Sequence, residues 1–171
     1  MVRKDRHYEA AFQDYLRSRG IPYCSVGQSK RAIFSGGKVK SFDFLVYPGG
    51  PCHWLVDVKG RRFPYVSARG AKRYWENWVT QDDLNGLRAW QKSFGHPFQA
   101  FFVFAYLLEG DEQRWPSARP HLFGGRYYAF LGAPLDAYEQ HCRPRSDKWQ
   151  TLNVTTTVFR EIAQPIDPYV F

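Results

Sequence analysis

The sequence predicts an α/β fold, a mixed β-sheet flanked by helices, and three observations lead to it. Apolar residues recur at helical spacing near the start of the chain, two short apolar runs then surround a Pro-Gly-Gly-Pro turn, and a uniformly apolar run occupies residues 98–108. These patterns are typical of an amphipathic helix, a β-hairpin and a strand buried on both faces. Elements of these types in this order favour a layered α/β domain over a bundle or a sandwich.

The first helix is predicted over residues 5–19. The apolar positions at helical spacing share one face: Tyr8, Ala11, Phe12, Tyr15 and Leu16. Asp5 is suited to cap the start of this helix, and Gly20 followed by Pro22 ends it. Glu9 lies on the flank of the apolar face, so we expect its carboxylate to point toward the margin of the core.

A hairpin is predicted over residues 41–60, after a strand over residues 21–26 and a turn at Gly36-Gly37. Alternation places one apolar set together on a face toward the core, with Phe42, Phe44 and Val46 opposite Trp54, Val56 and Val58. The other face is mixed and carries two acids. With a five-residue loop, Asp43 is predicted to lie directly opposite Asp57.

Two opposed acids on a hairpin repel each other, because cross-strand Cβ atoms lie only about 4.5 to 5.5 Å apart. A divalent cation compensates well, since Mg²⁺ binds one or two carboxylates and keeps water or phosphate oxygens as its other ligands. Lys59, two residues after Asp57 on the same face, would lie beside such an ion and face a phosphate group. The alternative is a surface hairpin whose charges are merely solvated.

The second helix is predicted over residues 81–94, with Thr80 and Asp83 forming a capping box at its start. The elements predicted after it are the buried strand over residues 98–108, a strand over 126–133, a helix over 134–142, and a segment over 151–163 that fits either a strand or a helix.

The chain is basic, with a net charge of +8, and nucleic acid is the first partner that this charge indicates. An ordinary basic surface is the alternative. Cations and aromatic residues interleave over residues 60–79, just after the hairpin. We expect Trp75 and Trp78 to pack in the core rather than to stack on bases. The cations predicted to contact nucleic acid are Arg61, Arg62, Lys72 and Arg73.

The length of 171 residues predicts one domain, and a composition of 44% hydrophobic residues suffices for its core. No run approaches the ~18 apolar residues of a membrane span, and the start of the chain lacks the apolar segment of a signal peptide. Three cysteines without metal-knuckle spacing favour a reducing compartment and disfavour a zinc site. We therefore expect a cytoplasmic protein without membrane contact.

A helix glutamate, a strand aspartate and an acid-x-lysine on the next strand resemble the site of the PD-(D/E)XK nuclease superfamily. The matching residues are Glu9, Asp43, Asp57 and Lys59. The segment HYEAAF, residues 7–12, is also similar to the signature of the bacterial HYExAFE family, although Gln13 stands where that signature has Glu. Ser-Phe-Asp at residues 41–43 replaces the Pro-Asp of the superfamily name.

The resemblance implies a restriction-endonuclease-like core over about residues 5–108, with residues 109–171 as a C-terminal extension. The helix after the acid-x-lysine strand often presents a polar residue to the site in such folds. Gln81 is the candidate here, with helix capping or solvent exposure as its alternative role. The implied cofactor is Mg²⁺ or Mn²⁺, and its implied ligands are Asp43, Asp57 and Glu9.

The function that these observations predict is hydrolysis of phosphodiester bonds in DNA by a metal-dependent nuclease, in which Lys59 stabilises developing charge. One alternative is a non-catalytic nucleic-acid-binding module that retains the nuclease fold. Another is a protein-interaction domain whose basic segment binds an acidic partner. The choice between DNA and RNA and between internal and terminal cleavage stays open. A homodimer is a further expectation, since many such enzymes pair to cut both strands.

Overall fold

The computed structural model describes residues 6–27, 32–34 and 37–166, so that Asp5 and Gly36 of the predicted cap and turn lie outside the described residues. Its helices are α1 Arg6–Ser18, α2 Gln81–Phe94, α3 Leu135–His141 and α4 Thr156–Ile162, with a 3₁₀-helix at Glu112–Arg114. Its strands are β1 Tyr23–Ser25, β2 Ala32–Phe34, β3 Gly37–Val39, β4 Phe44–Val46, β5 His53–Phe63, β6 Tyr65–Val66, β7 Lys72–Arg73, β8 Val79–Thr80, β9 Phe98–Leu108, β10 His121–Phe123, β11 Arg126–Pro134, β12 Arg143–Ser146, β13 Thr151–Asn153 and β14 Gln164–Pro165.

A mixed central sheet organises these elements, with the strand order β1-β4-β5-β9-β11-β10 and with β14 paired to β11. Strands β5 and β9 run parallel along their whole length, from His53 opposite Phe98 to Phe63 opposite Leu108. The other pairings of this sheet are antiparallel. A parallel pair requires a crossover connection, and α2 lies within this one.

Helices cover both faces of the central sheet, and each face has its own apolar core. On one face α1 buries Phe12 and Leu16 against the sheet. On the opposite face α2, α3 and α4 pack around Tyr138 and Phe159. The predicted mixed sheet flanked by helices is confirmed.

The central strand β9 explains why residues 98–108 are so uniformly apolar. Phe102, Phe104 and Tyr106 enter the core beneath α2, α3 and α4, whereas Phe101 and Val103 enter the core beneath α1. A strand covered on both faces by helices has no solvent-exposed side on which polar residues could alternate.

The residues beyond 108 extend the same sheet, because β11 pairs with β9 from Tyr127 opposite Leu108 to Pro134 opposite Phe101. The predicted strand and helix over residues 126–142 correspond to β11 and α3. Residues 151–163 contain both of the alternatives, first β13 and then α4, which begins where the Thr155 hydroxyl accepts the N–H of Val158. In the described part of the chain, the helices are too short or too polar to cross a membrane.

Candidate metal centre

Asp43 lies in a bend just before β4. The predicted hairpin register is confirmed, since Phe44 pairs with Val56. Strand pairing ends there, however: the N–H of Asp43 donates to Val56 O at 2.9 Å, and its carbonyl accepts the N–H of Val26 at 2.8 Å. Asp43 is therefore not a ladder residue directly opposite Asp57, because the chain leaves the regular strand one residue too early.

The bend also reverses the face of the preceding residue. Phe42 is predicted to share a face with Phe44, but its ring packs against Trp90 and Phe94 of α2, with centroids 5.3 and 6.0 Å away. The prediction for Phe42 is wrong because strict alternation holds only along a continuous strand.

The carboxylate of Asp43 is buried, with 3% of the residue exposed, and only one of its two oxygens accepts a hydrogen bond from the described part of the chain. Its Oδ2 accepts the N–H of Val58 at 2.6 Å, whereas its Oδ1 has no hydrogen-bond partner among the described residues. Burial, followed by the charges of Asp57 and Glu9, raises the pKa of Asp43 well above its usual value. A buried carboxylate oxygen left unpaired is costly, and a hard cation is a ligand that would satisfy it.

Asp57 and Lys59 share one face of β5, as predicted, and the contact of Lys59 with Asp83 shows that this face looks toward α2. The Nζ of Lys59 lies 3.1 Å from Asp57 Oδ2 and 3.0 Å from Asp83 Oδ2. Burial raises the pKa of Asp57, and the attraction of Lys59 offsets this only in part. Burial alone would lower the pKa of Lys59, but Asp57 and Asp83 outweigh it and raise that pKa. Lys59 is thus held protonated between two carboxylates.

Asp83 is the residue that sequence reasoning assigned only to helix capping. The capping box with Thr80 is confirmed, and the same carboxylate also pairs with Lys59 and with Lys40. Burial opposes ionisation of Asp83, but the two lysines hold its pKa well below the usual range. A signal was present in the sequence, because Asp83 lies at helical spacing from Leu87 on the apolar face of α2.

Gln81, the predicted polar contribution of α2, does not join this group. Its side chain donates to Asn85 Oδ1 at 2.9 Å on the helix surface. Helix α2 does supply a polar side chain, but that side chain is Asp83 rather than Gln81. One carboxylate oxygen of Asp83 lies 3.0 Å from the Nζ of Lys59.

Glu9 lies on α1, on the other side of the sheet from Asp57 and Lys59, and approaches the site from the side of Asp43. Glu9 and Asp43 line one open cleft of about 250 Å³. Within the described residues, no three His, Cys, Asp or Glu side chains are grouped closely enough to hold an ion. The assignment of Asp43, Asp57 and Glu9 as ligands of one ion thus stays a prediction; two carboxylates such as Asp43 and Asp57 are a ligand set that Mg²⁺ accepts.

The four predicted nucleic-acid contacts differ in their surroundings. The Arg61 guanidinium donates to the carbonyls of Gly60 and Trp78 and lies 3.9 Å from the centroid of the Trp78 ring, so the structure gives it a backbone-binding role. Arg62 is exposed and pairs with Glu109 at 3.0 Å. Lys72 and Arg73 are exposed on β7.

The substitution Asp43→Asn is expected to stabilise the metal-free protein near neutral pH. The amide oxygen can still accept the N–H of Val58, while the charge that Asp57 and Glu9 repel is removed. Like charges directly opposite on a sheet cost up to about 1 kcal/mol, and because Asp43 lies outside the ladder this figure is the upper limit of the expected gain.

The pH dependence of this gain follows from the raised pKa of Asp43. Stability from an acid with a raised folded-state pKa is fully present below the unfolded pKa of about 3.9 and is lost as the pH rises through the folded value. The advantage of Asp43→Asn should therefore grow above about pH 4. Urea unfolding in EDTA over a pH series measures it, with the exposed Asp82→Asn as the control. Lower stability of Asp43→Asn at every pH would contradict the repulsion.

Comparisons with known proteins show the fold. No protein-family model matches the sequence, so the similarity to the HYExAFE family stays a prediction, and no curated protein matches it either. A solved structure does match: Hjc, a Holliday junction resolvase from the archaeal hyperthermophile Archaeoglobus fulgidus, with a TM-score of 0.57 and 14% identity over 97% of this chain and 99% of that chain. The chain therefore shares the restriction-endonuclease-like fold of that resolvase over nearly its whole length.

Proposed function

We propose that this protein is a metal-dependent nuclease that hydrolyses phosphodiester bonds in DNA. The observation that carries the proposal is the buried Oδ1 of Asp43, which has no hydrogen-bond partner in the part of the chain that the structure describes. Asp57 lies near enough to raise the pKa of Asp43, and Asp57 also pairs with the protonated Lys59. A purely structural aspartate is expected to have its buried oxygens paired. This arrangement leaves an oxygen available for a cation at a cost to stability.

The roles of the side chains follow from their contacts. Asp43 and Asp57 would hold Mg²⁺ or Mn²⁺, and the bound ion would polarise a phosphate oxygen and lower the pKa of a coordinated water. Lys59 donates to the charge that develops on the phosphate, and Asp83 fixes its position through the 3.0 Å ion pair. Glu9, on the opposite side of the sheet from Asp57 and Lys59, would act through Asp43, with which it shares a cleft and whose pKa its negative charge raises.

DNA is the proposed substrate because the chain is strongly basic and because the structurally similar Hjc is a Holliday junction resolvase. We propose that Arg62, Lys72 and Arg73 contact phosphates, and that Arg61 supports the backbone instead.

The test is cleavage of end-labelled DNA and RNA by the purified protein with Mg²⁺, with Mn²⁺ and with EDTA. DNA cleavage that requires the divalent ion and disappears in EDTA is expected. Salt-dependent DNA binding without cleavage in either metal would contradict the enzyme and support the non-catalytic nucleic-acid-binding module. Cleavage of RNA alone would contradict the proposed substrate.

The double substitution Lys72→Ala and Arg73→Ala is expected to weaken DNA binding equally for all sequences. Each phosphate contact contributes about 0.9 to the slope of log affinity against log salt concentration, so losing two lowers that slope by about 2. Fluorescence anisotropy over a salt series measures it. Arg17→Ala with Lys92→Ala removes the same charge from two exposed positions at helix ends and is the matched control. Equal slopes for the two double variants would contradict the contact.

A further inference from the structure

Trp149 is the most exposed large apolar side chain of the described residues, at 67%. It lies in the turn between β12 and β13, which together form the β12–β13 hairpin, residues 143–153. A solvent-exposed indole lacks the favourable free energy that burial of its apolar surface would give. A binding partner that covers the ring would supply it.

The β12–β13 hairpin is attached to the start of α2. Strand β13 pairs with β8, placing Thr151 opposite Thr80, and the N–H of Gln81 donates to Gln150 O at 2.9 Å. Two residues after Gln81, Asp83 contacts Lys59 of the candidate site. The residue next to Trp149 is thus hydrogen-bonded to the first turn of the helix that positions the catalytic lysine.

A second connection runs through Trp78. The guanidinium carbon of Arg61, two residues after Lys59, lies 3.9 Å from the Trp78 ring centroid, and that of Arg145 in the hairpin lies 5.5 Å from it. The β12–β13 hairpin and the strand that bears Lys59 therefore meet at one aromatic ring.

The charge of the β12–β13 hairpin suits phosphate. Arg143, Arg145 and Lys148 are exposed, and among the described residues none of them has an acidic group within 4.0 Å. Against these three cations stands one anion, Asp147, which leaves a net charge of +2. The Lys148 Nζ lies 5.1 Å from the centroid of the Trp149 ring. Cations beside an exposed ring are the combination that binds the backbone and a base of one strand together.

We propose that the β12–β13 hairpin binds an unpaired strand beside the scissile phosphate, with Trp149 stacked on a base and Arg143, Arg145 and Lys148 on the phosphates. This inference rests on the proposed nuclease function and specifies its substrate as DNA with unpaired bases near the cleavage position. Base faces inside a duplex are covered by their neighbours, so the exposed indole can stack only where a base is free.

Binding of a single-stranded oligonucleotide and of a blunt duplex with the same sequence, in EDTA to prevent cleavage, tests the proposal. Trp149→Ala should weaken single-strand binding by roughly 10- to 100-fold and leave duplex binding unchanged. Trp149→Phe should retain most of the single-strand affinity, because a phenyl ring still stacks. Tyr127→Ala removes an exposed aromatic ring from β11 and is the control that should change neither.

Three outcomes would overturn the proposal: absence of single-strand binding by the parent protein, unchanged single-strand binding by Trp149→Ala, or an equal loss on the duplex. The nuclease proposal is judged separately by Mg²⁺-dependent cleavage in the parent protein. Cleavage without a Trp149 effect rejects only the hairpin contact. A Trp149 effect without cleavage rejects the nuclease and supports base stacking by a non-catalytic module.

Discussion

Replacing Asp57 with Asn is expected to reduce Mg²⁺-dependent cleavage by more than about 10²-fold, since loss of even an outer-shell partner of a metal ligand costs 10- to 100-fold. The amide is neutral and a far weaker ligand for a hard cation than a carboxylate. Asp57 carries its charge in a buried position, where its pKa is already raised, so the uncharged side chain fits the site without a new unpaired charge. Lys59 keeps its second partner, Asp83.

Two measurements separate loss of the metal from loss of the fold. Titration calorimetry with Mn²⁺ should show weaker ion binding by Asp57→Asn, while its thermal unfolding in EDTA stays cooperative. Asp82→Asn makes the same chemical change at an exposed position in the first turn of α2 and should cleave like the parent protein. Unchanged ion binding together with unchanged cleavage in Asp57→Asn would remove Asp57 from the metal site.

Gly60→Ala is expected to destabilise the protein by about 3 kcal/mol or more, at the upper end of the cost of overpacking a core. A Cβ at Gly60 would lie 2.1 Å from Cδ2 and 2.4 Å from Cγ of the Tyr8 ring. The backbone has little freedom to move away, because Gly60 lies in β5 opposite Ala105 of β9, in the middle of the sheet. The Tyr8 ring would therefore have to move off β5, and α1, which carries Tyr8, would have to move with it.

Thermal unfolding in EDTA measures this cost, and a loss of about 3 kcal/mol corresponds to a fall in Tm of about 6 to 12 °C for a chain of this size. Gly132→Ala is the matched control, since Gly132 lies in β11 of the same sheet and a Cβ there meets its nearest neighbour, Phe101, at an ordinary 3.6 Å. Equal melting temperatures for the two variants would contradict the close packing of Tyr8 on β5. Because α1 also carries Glu9, Gly60→Ala should lower cleavage as well.

The sequence alone determined the elements whose patterns are local. Each of these patterns depends on one element and on what packs directly against it. They are the apolar face of α1, the capping box and apolar face of α2, and the uniformly apolar run of β9. The five-residue loop determined the register that pairs Phe44 with Val56, because loop length fixes which residues of a hairpin face each other. The same alternation placed Asp57 and Lys59 on one face of β5.

Only the tertiary structure decided the contacts between distant segments. The alternation of a strand assumes a continuous strand and cannot predict a bend. The departure of Asp43 from the ladder, and the change of Phe42 to the opposite face of the sheet, could therefore not be predicted from spacing. The pairing of Asp83 with Lys59 joins residues whose proximity depends on how α2 packs on β5. From the sequence, Arg61 could not be distinguished from the exposed cations near it. In the fold, its guanidinium lies against the Trp78 ring. Local patterns determine which face a residue occupies, whereas the partner it meets there depends on the packing of the whole chain.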